Sequence, residues 1–294
     1  MRSFFGSLIT AMVTPFNPSL EIDYQKVEEL VEILLQKGTD SLVVAGTTGE
    51  SPALSEKERL NLLKVVAGVA KGRAKVLAGA GGNYTQTTVE LCRKAEKIGL
   101  DGLMLVTPYY NKPPQEGLYR HFAQIAESVS LPIMLYNVPG RTGINMQAET
   151  TLRLAEIDNI VAIKEASGDL EQIAAICASC PGDFSVYSGD DSMTLPIISV
   201  GGSGVVSIAS HLAGLEIKQM MDAFFNKDID AATRMHHMLL PLFKALFITT
   251  NPIPLKAALN LVGMEVGKPR LPLVALPEKL NETLKEVLDR YTFG

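Results

Sequence analysis

The stretch Asn159-Ile160-Val161-Ala162-Ile163-Lys164-Glu165-Ala166-Ser167-Gly168-Asp169 decides how the rest of this 294-residue chain is read. A short apolar run bounded by turn residues reads as a strand buried on both faces, the form strands take in a parallel sheet. A lysine near the end of such a strand is costly. With period-2 alternation Lys164 shares a face with Ala162 and Ala166, whose small side chains leave room for the lysine stem and for something attached to it. An ammonium with a pKa near ~10.4 is no nucleophile at neutral pH, but desolvation lowers that value and frees the amine to attack a carbonyl. Lys164 is therefore a Schiff-base candidate, against the alternative of a lysine snorkelling from a strand end into water.

Outward from this strand, apolar runs alternate with helix-like segments in both directions. The runs at 8–13, 39–46, 74–81, 102–106, 133–136, 184–188 and 204–208 complete a set of eight with the Lys164 strand. Helices are expected after Asp23, after Ser55, over 85–98 and over 115–129; Ser55 and Glu58 have the spacing of a capping box. Eight strands each followed by a helical segment fit a (β/α)8 TIM barrel better than an open doubly wound sheet. We expect a catalytic barrel over residues 1–225. A C-terminal helical extension over 226–294 follows, with helices near 229–247, 253–261 and 276–288 and Pro-rich joins.

Composition narrows the function. The chain is 47% hydrophobic and 20% charged, enough for one large core, and its net charge of -5 is spread without a basic block. This leaves no electrostatic footprint for nucleic acid or an anionic membrane, so the natural partner is a small molecule. Three cysteines and no secretory leader lead us to expect a cytoplasmic protein. No apolar run approaches the roughly 20 residues that a membrane span needs.

Barrel active sites lie at the C-terminal ends of the strands. The residues expected there are Thr47 and Thr48, Tyr109 and Tyr110, Tyr136 and Arg141, Lys164, and Ser188-Gly189-Asp190-Asp191. They supply an amine, phenols and hydroxyls to move protons, and a guanidinium fork for a carboxylate, which together suit a keto acid. Each alone has a plainer reading, since tyrosines at strand ends often only pack and threonines there often only cap. Other patterns carry less. Cys177-Ala178-Ser179-Cys180 has CxxC spacing without a second pair and falls in a helical stretch. His236 and His237 are helical neighbours that point different ways, and His121 and His211 lack a ligand pattern, so no metal site is expected. Gly79 to Gly82 and Gly201 to Gly204 lack the rest of a dinucleotide or P-loop fingerprint, although the second could lie near the phosphate site common between strands seven and eight of barrels.

Four motifs carry a resemblance that extends over nearly the whole chain. They are Gly46-Thr47-Thr48-Gly49-Glu50, Tyr109-Tyr110-Asn111-Lys112-Pro113, Tyr136-Asn137-Val138-Pro139-Gly140-Arg141-Thr142-Gly143 and Ile163-Lys164-Glu165-Ala166-Ser167-Gly168. The sequence resembles the dihydrodipicolinate synthase family, within the pyruvate-dependent class I aldolases and lyases. That resemblance implies an imine between Lys164 and pyruvate, with Tyr136 as general acid and base and Thr47 and Tyr110 as its proton relay. It implies that Thr48 binds the pyruvate carboxylate, that Gly189 and Val206 line the pyruvate pocket, and that Arg141 receives the carboxylate of L-aspartate 4-semialdehyde. No metal or organic cofactor is implied. Tyr110 would come from a second subunit of a tight dimer, two dimers forming a tetramer. A feedback pocket for L-lysine would use Ser51, Asn83 and Tyr109, but the chain departs from regulated members at Glu56, Arg59 and Thr87. A sibling aldolase for N-acetylneuraminate or a 2-keto-3-deoxy sugar acid shares the pyruvate half of this pattern. A non-catalytic barrel that senses a keto acid remains the distant alternative.

Overall fold

The computed structural model describes residues 3–292. Eight strands form one closed parallel barrel in sequence order: β1 (Leu8–Ala11), β2 (Ser41–Val44), β3 (Lys75–Gly79), β4 (Gly102–Val106), β5 (Ile133–Asn137), β6 (Ile160–Glu165), β7 (Ser185–Ser188) and β8 (Gly204–Ser207). Helices follow each strand in turn: α1 (Tyr24–Gln36), α2 (Glu56–Ala70), α3 (Thr85–Glu96), α4 (Gln115–Glu127), the short pair α5 (Pro139–Thr142) and α6 (Ala148–Ala155), α7 (Leu170–Ser179), α8 (Thr194–Ser199) and α9 (Ser210–Phe225). Three more helices, α10 (Ile229–Ala245), α11 (Ile253–Leu261) and α12 (Glu278–Leu288), complete the described chain. The expected (β/α)8 barrel with helices after it is the architecture found.

The strands are almost wholly buried because side chains on one face fill the barrel and those on the other pack under the helices. Several are shorter than their apolar runs. Pairing in β1 and β2 ends at Ala11 and Val44, yet Met12, Val13 and Ala45 beyond them stay about 1% exposed because loops cover the rim. Beyond the ladder of β1, Met12 N still donates to the Val43 carbonyl at 3.0 Å and Val13 N to His211 Nε2 at 3.2 Å. The seam closes where Leu8 and Ile9 pair with Val205 and Val206. Gly204 is needed there, since a Cβ would stand 2.0 Å from the Ser7 carbonyl oxygen.

Local signals set the helix starts. Asp23 caps α1 by accepting from Lys26 N at 3.1 Å, and the Ser55–Glu58 capping box opens α2 as its spacing predicts. Asp169 and Asp228 cap α7 and α10 in the same way. Helix α10 packs along α9, and α12 packs against both α10 and α11. The turn between α10 and α11 reaches back over the C-terminal mouth of the barrel, which is what brings the end of the chain to the site. Among the described residues no helix is long and apolar enough to cross a membrane.

Candidate active site

A cavity of about 330 Å³ opens at the C-terminal mouth of the barrel, with Lys164, Tyr136, Thr47, Thr48, Arg141 and Gly189 in its wall. Residues far apart in sequence meet there because each lies near the C-terminal end of a strand or in the segment that follows it. Lys164 and Tyr136 are partners in the β5–β6 register and are only 6% and 5% exposed. The Lys164 ammonium lies over the Tyr136 ring, 4.3 Å from its centroid. This places the amine inside the barrel mouth beside a phenol, and the snorkelling alternative does not describe it.

The turn after β7 packs closely beside Lys164. The Gly189 N–H donates to the Glu165 carbonyl at 2.7 Å, so the turn after β7 lies against β6. A Cβ on Gly189 would stand 2.6 Å from Ala166 Cβ and 3.1 Å from Lys164 Cε, so a larger residue would collide with the lysine stem. On the opposite face of β6, Glu165 is fully buried, and burial pushes its carboxyl above the usual carboxylate range while bonds from Ser167 and Asn137 oppose the shift. Asn137 Nδ2 donates to Glu165 Oε1 at 2.5 Å, which ties β5 to β6 directly behind the Tyr136–Lys164 pair.

The loop after β2 is bent at both ends. Ala45 and Glu50 have φ of 54° and 56°, conformations that cost a non-glycine residue roughly 1–3 kcal/mol each. The surroundings hold the bend in place. Thr14 Oγ1 donates to the Gly49 carbonyl at 2.7 Å, and the Glu50 carboxylate meets Lys256 Nζ at 2.7 Å and accepts from Arg270 N at 2.8 Å. Burial lowers the Lys256 pKa to about 8 against the pull of Glu50. Thr47 and Thr48 are thereby presented to the cavity from a fixed loop.

Val206 and Asp191 are not in this cavity wall, and Tyr110, expected to serve a second subunit, is not in the wall of its own chain either. Val206 is buried opposite Ile9 in the β1–β8 register, and those strands reach the cavity wall through Ala11 and Ile208 instead. Asp191, one of the rim acids, turns away to accept from Ile208 N and Ala209 N at 3.1 Å and from Ser207. Burial raises its pKa to about 6. Tyr110 is 89% exposed with φ 74° and is not part of the cavity wall of its own chain.

A second cavity of about 450 Å³ gathers Ser51, Asn83 and Tyr109 with Glu56, Arg59 and Thr87, and it shares Thr47, Val138 and Arg141 with the first. Glu56 is paired with Lys94 at 2.6 Å, while Arg59 Nη2 donates to the Ser51 carbonyl at 2.8 Å. Elsewhere, Cys177 and Cys180 are free thiols whose pKa values burial raises, that of Cys177 to about 11, which suits neither a redox nor a ligand role.

Asn251, Phe247, Met193 and Ile197 also line the cavity, and none of them was visible as a site residue in the sequence. Asn251 stands in a Pro-rich join of the kind expected between helices. Nothing local to that join says that it folds back over 200 positions to Thr48.

A model of the dihydrodipicolinate synthetase family matches residues 4–291. The chain belongs to that family. Among its dihydrodipicolinate synthetase relatives, the 4-hydroxy-tetrahydrodipicolinate synthase of Heliobacterium modesticaldum is 55% identical over 287 residues, covering 98% of this chain and 96% of that protein. The synthase of Bacillus subtilis is 54% identical, covering 96% and 99%. Among solved family structures, a dihydrodipicolinate synthase from Bacillus anthracis superposes with a TM-score of 0.97 at 46% identity over 99% of this chain and 100% of that one. One from Cyanidioschyzon merolae, solved with lysine bound, gives 0.97 at 49% identity over 98% and 99%.

Proposed function

We propose that this chain condenses pyruvate with L-aspartate 4-semialdehyde through an imine at Lys164, giving 4-hydroxy-tetrahydrodipicolinate for lysine and diaminopimelate biosynthesis. The observation that carries it is Lys164 held in a barrel-mouth cavity directly over the ring of its register partner Tyr136. Relatives at 52–56% identity carry the synthase name and not that of a sugar-acid aldolase, which favours the synthase over its siblings. A buried amine beside a phenol favours an enzyme over a sensor.

In this reading Lys164 Nζ attacks the keto carbon of pyruvate and water leaves. The cationic imine withdraws electrons from the methyl group, so loss of a proton gives an enamine, with Tyr136 carrying the protons. The enamine carbon bonds to the aldehyde carbon, and the amine of the product then displaces Lys164 and closes the ring. Thr48 receives the pyruvate carboxylate and Gly189 leaves space beside the lysine stem. Arg141, whose fork stands at the outer wall of the same cavity, receives the carboxylate of the second substrate. No cofactor enters the sequence of bonds made and broken.

Thr47 and Tyr110 are the proton relay, with Tyr110 supplied by a second copy of the chain. The exposure of Tyr84 at 62%, Tyr109 at 41% and Tyr110 at 89% on the touching segments after β3 and β4 supports a covering partner. A dimer of such dimers, a cytoplasmic location and a supporting role for residues 226–294 belong to the same reading. Borohydride reduction in the presence of pyruvate tests it, followed by a panel of aldehydes offered with pyruvate. Mass should be added to the peptide containing Lys164, and aspartate semialdehyde should be turned over in preference to sugar aldehydes. Labelling elsewhere, or preference for a sugar aldehyde, would overturn it.

A further inference from the structure

Asn251 contacts two groups that the proposed reaction assigns to different substrates. Its side-chain Nδ2 donates to Thr48 Oγ1 at 3.0 Å, and its main-chain carbonyl accepts from Arg141 Nη2 at 3.1 Å. The residue is 5% exposed and lines the cavity that holds Lys164. It sits at the end of the turn between α10 and α11, so its position is fixed by the helical extension and not by a barrel strand.

The side-chain contact has a direction. An amide NH2 can only donate, so Thr48 Oγ1 is held as its acceptor and the threonine's own proton must go elsewhere. Among the described residues no protein acceptor takes that proton. Thr48 is itself 3% exposed and lies in the cavity wall, which leaves the cavity as the direction open to its O–H. The other end of the amide is informative too. Asn251 Oδ1 is buried with no hydrogen-bond partner, an arrangement that costs folding free energy and that an apolar side chain of similar size would avoid. The bond to Thr48 is the hydrogen bond that the Asn251 side chain makes among the described residues.

We propose that Asn251 is a positioning residue that sets the polarity of Thr48, turning the threonine hydroxyl into a hydrogen-bond donor for the carboxylate of the keto acid. This rests on the reading that Thr48 receives that carboxylate. The contact to Arg141 comes from the main chain, so side-chain substitutions leave it in place, and the two substrates should respond differently. In Asn251→Ala the threonine proton is free to rotate. In Asn251→Asp a carboxylate can only accept, so it takes the Thr48 proton and adds a negative charge beside the site.

The test measures the pyruvate concentration that half-saturates borohydride trapping at Lys164, together with steady-state KM values for both substrates. Asn251→Ala should raise the half-saturating pyruvate about tenfold, the loss of one charge-assisted hydrogen bond, and Asn251→Asp should raise it further. The KM for the aldehyde substrate should stay within about twofold in Asn251→Ala, because the Arg141 contact is main-chain. Thr48→Val, which removes the donor itself, should raise the half-saturating pyruvate at least as far as Asn251→Ala, and the double variant should match Thr48→Val, since Asn251 acts only through the Thr48 hydroxyl. A side chain that merely braced the turn would raise both KM values together and add to Thr48→Val. Should Asn251→Ala not fold, Asn251→Ser is read in the same way. Unchanged half-saturation in the folded Asn251 variants, or in Thr48→Val, overturns the proposal. Absence of any trapping at Lys164 in the parent protein instead overturns the keto-acid reading beneath it.

Discussion

Tyr136 and Lys164 face each other across the β5–β6 register, with the lysine ammonium 4.3 Å from the centroid of the phenol ring. In the proposed imine reaction Lys164 is the nucleophile and Tyr136 the acid–base group. Lys164→Ala should abolish borohydride trapping of pyruvate. Tyr136→Phe keeps the ring and the nucleophile, so trapping should survive while turnover falls by something on the order of 10²–10⁴. Loss of trapping in Lys164→Ala alone, with full turnover in Tyr136→Phe, would remove the phenol from the mechanism.

Gly189→Ala should damage the chemistry more than the fold. The added Cβ meets Ala166 Cβ at 2.6 Å and Lys164 Cε at 3.1 Å, so either the turn after β7 or the lysine stem must shift. A misplacement approaching 1 Å at a reacting atom costs about 10² in rate. We expect kcat/KM to fall by about that factor with cooperative thermal unfolding retained. Activity within threefold of the parent would mean that the turn yields freely.

Feedback by L-lysine should be weak or absent. The second cavity offers Thr87, which is neutral, and Glu56 is held by Lys94 at 2.6 Å, so no free carboxylate faces a ligand ammonium there. Initial rates with added L-lysine up to millimolar levels should change little. Strong inhibition at low micromolar lysine would show that Glu56 leaves Lys94 for the ligand.

Tyr110 should act in the neighbouring site. Tyr110→Phe chains and Lys164→Ala chains, dissociated and reassembled together, form mixed dimers in which one site lacks both groups and the other has both intact. Activity should therefore reappear well above either parent variant. If mixing verified by mass restores nothing, Tyr110 works within its own chain.

His211 should make the fold sensitive to acid. It is fully buried, with Nε2 accepting from Val13 N at 3.2 Å and Nδ1–H donating to the Ile208 carbonyl at 2.8 Å, so the ring is held neutral between the ends of β1 and β8. Burial lowers its pKa to about 4. The unfolded chain binds that proton nearer pH 6.5, so the contribution of the neutral ring is complete above that pH and is lost as pH falls toward 4. Relative to His211→Gln, which keeps an acceptor and does not titrate, the stability advantage of the parent should shrink by up to roughly 3 kcal/mol between pH 7 and pH 4. Urea unfolding at a series of pH values measures it, and a difference independent of pH would contradict the burial of a neutral ring.

The sequence by itself determined the eight-strand barrel, the helices after it, the capping box at Ser55 and the placement of Lys164 with small neighbours on one face of β6. These are local properties, fixed by the alternation of side chains along a strand and by hydrogen bonds within one helical turn. The rim candidates Thr47, Thr48, Tyr136, Arg141 and Gly189 were legible because a barrel puts every strand end on one face. What only the tertiary structure decided were distances and directions across the barrel mouth. It set Ile208 rather than Val206 in the cavity wall, turned Asp191 into an anchor for the β8 end, left Tyr110 facing outward, and carried Asn251 from the helical extension onto Thr48. The physical reason is that strand tilt, loop closure and the return path of a distant segment are settled by packing among residues far apart in the chain. A hydrogen bond spanning 203 positions leaves no periodicity at either end from which to read it.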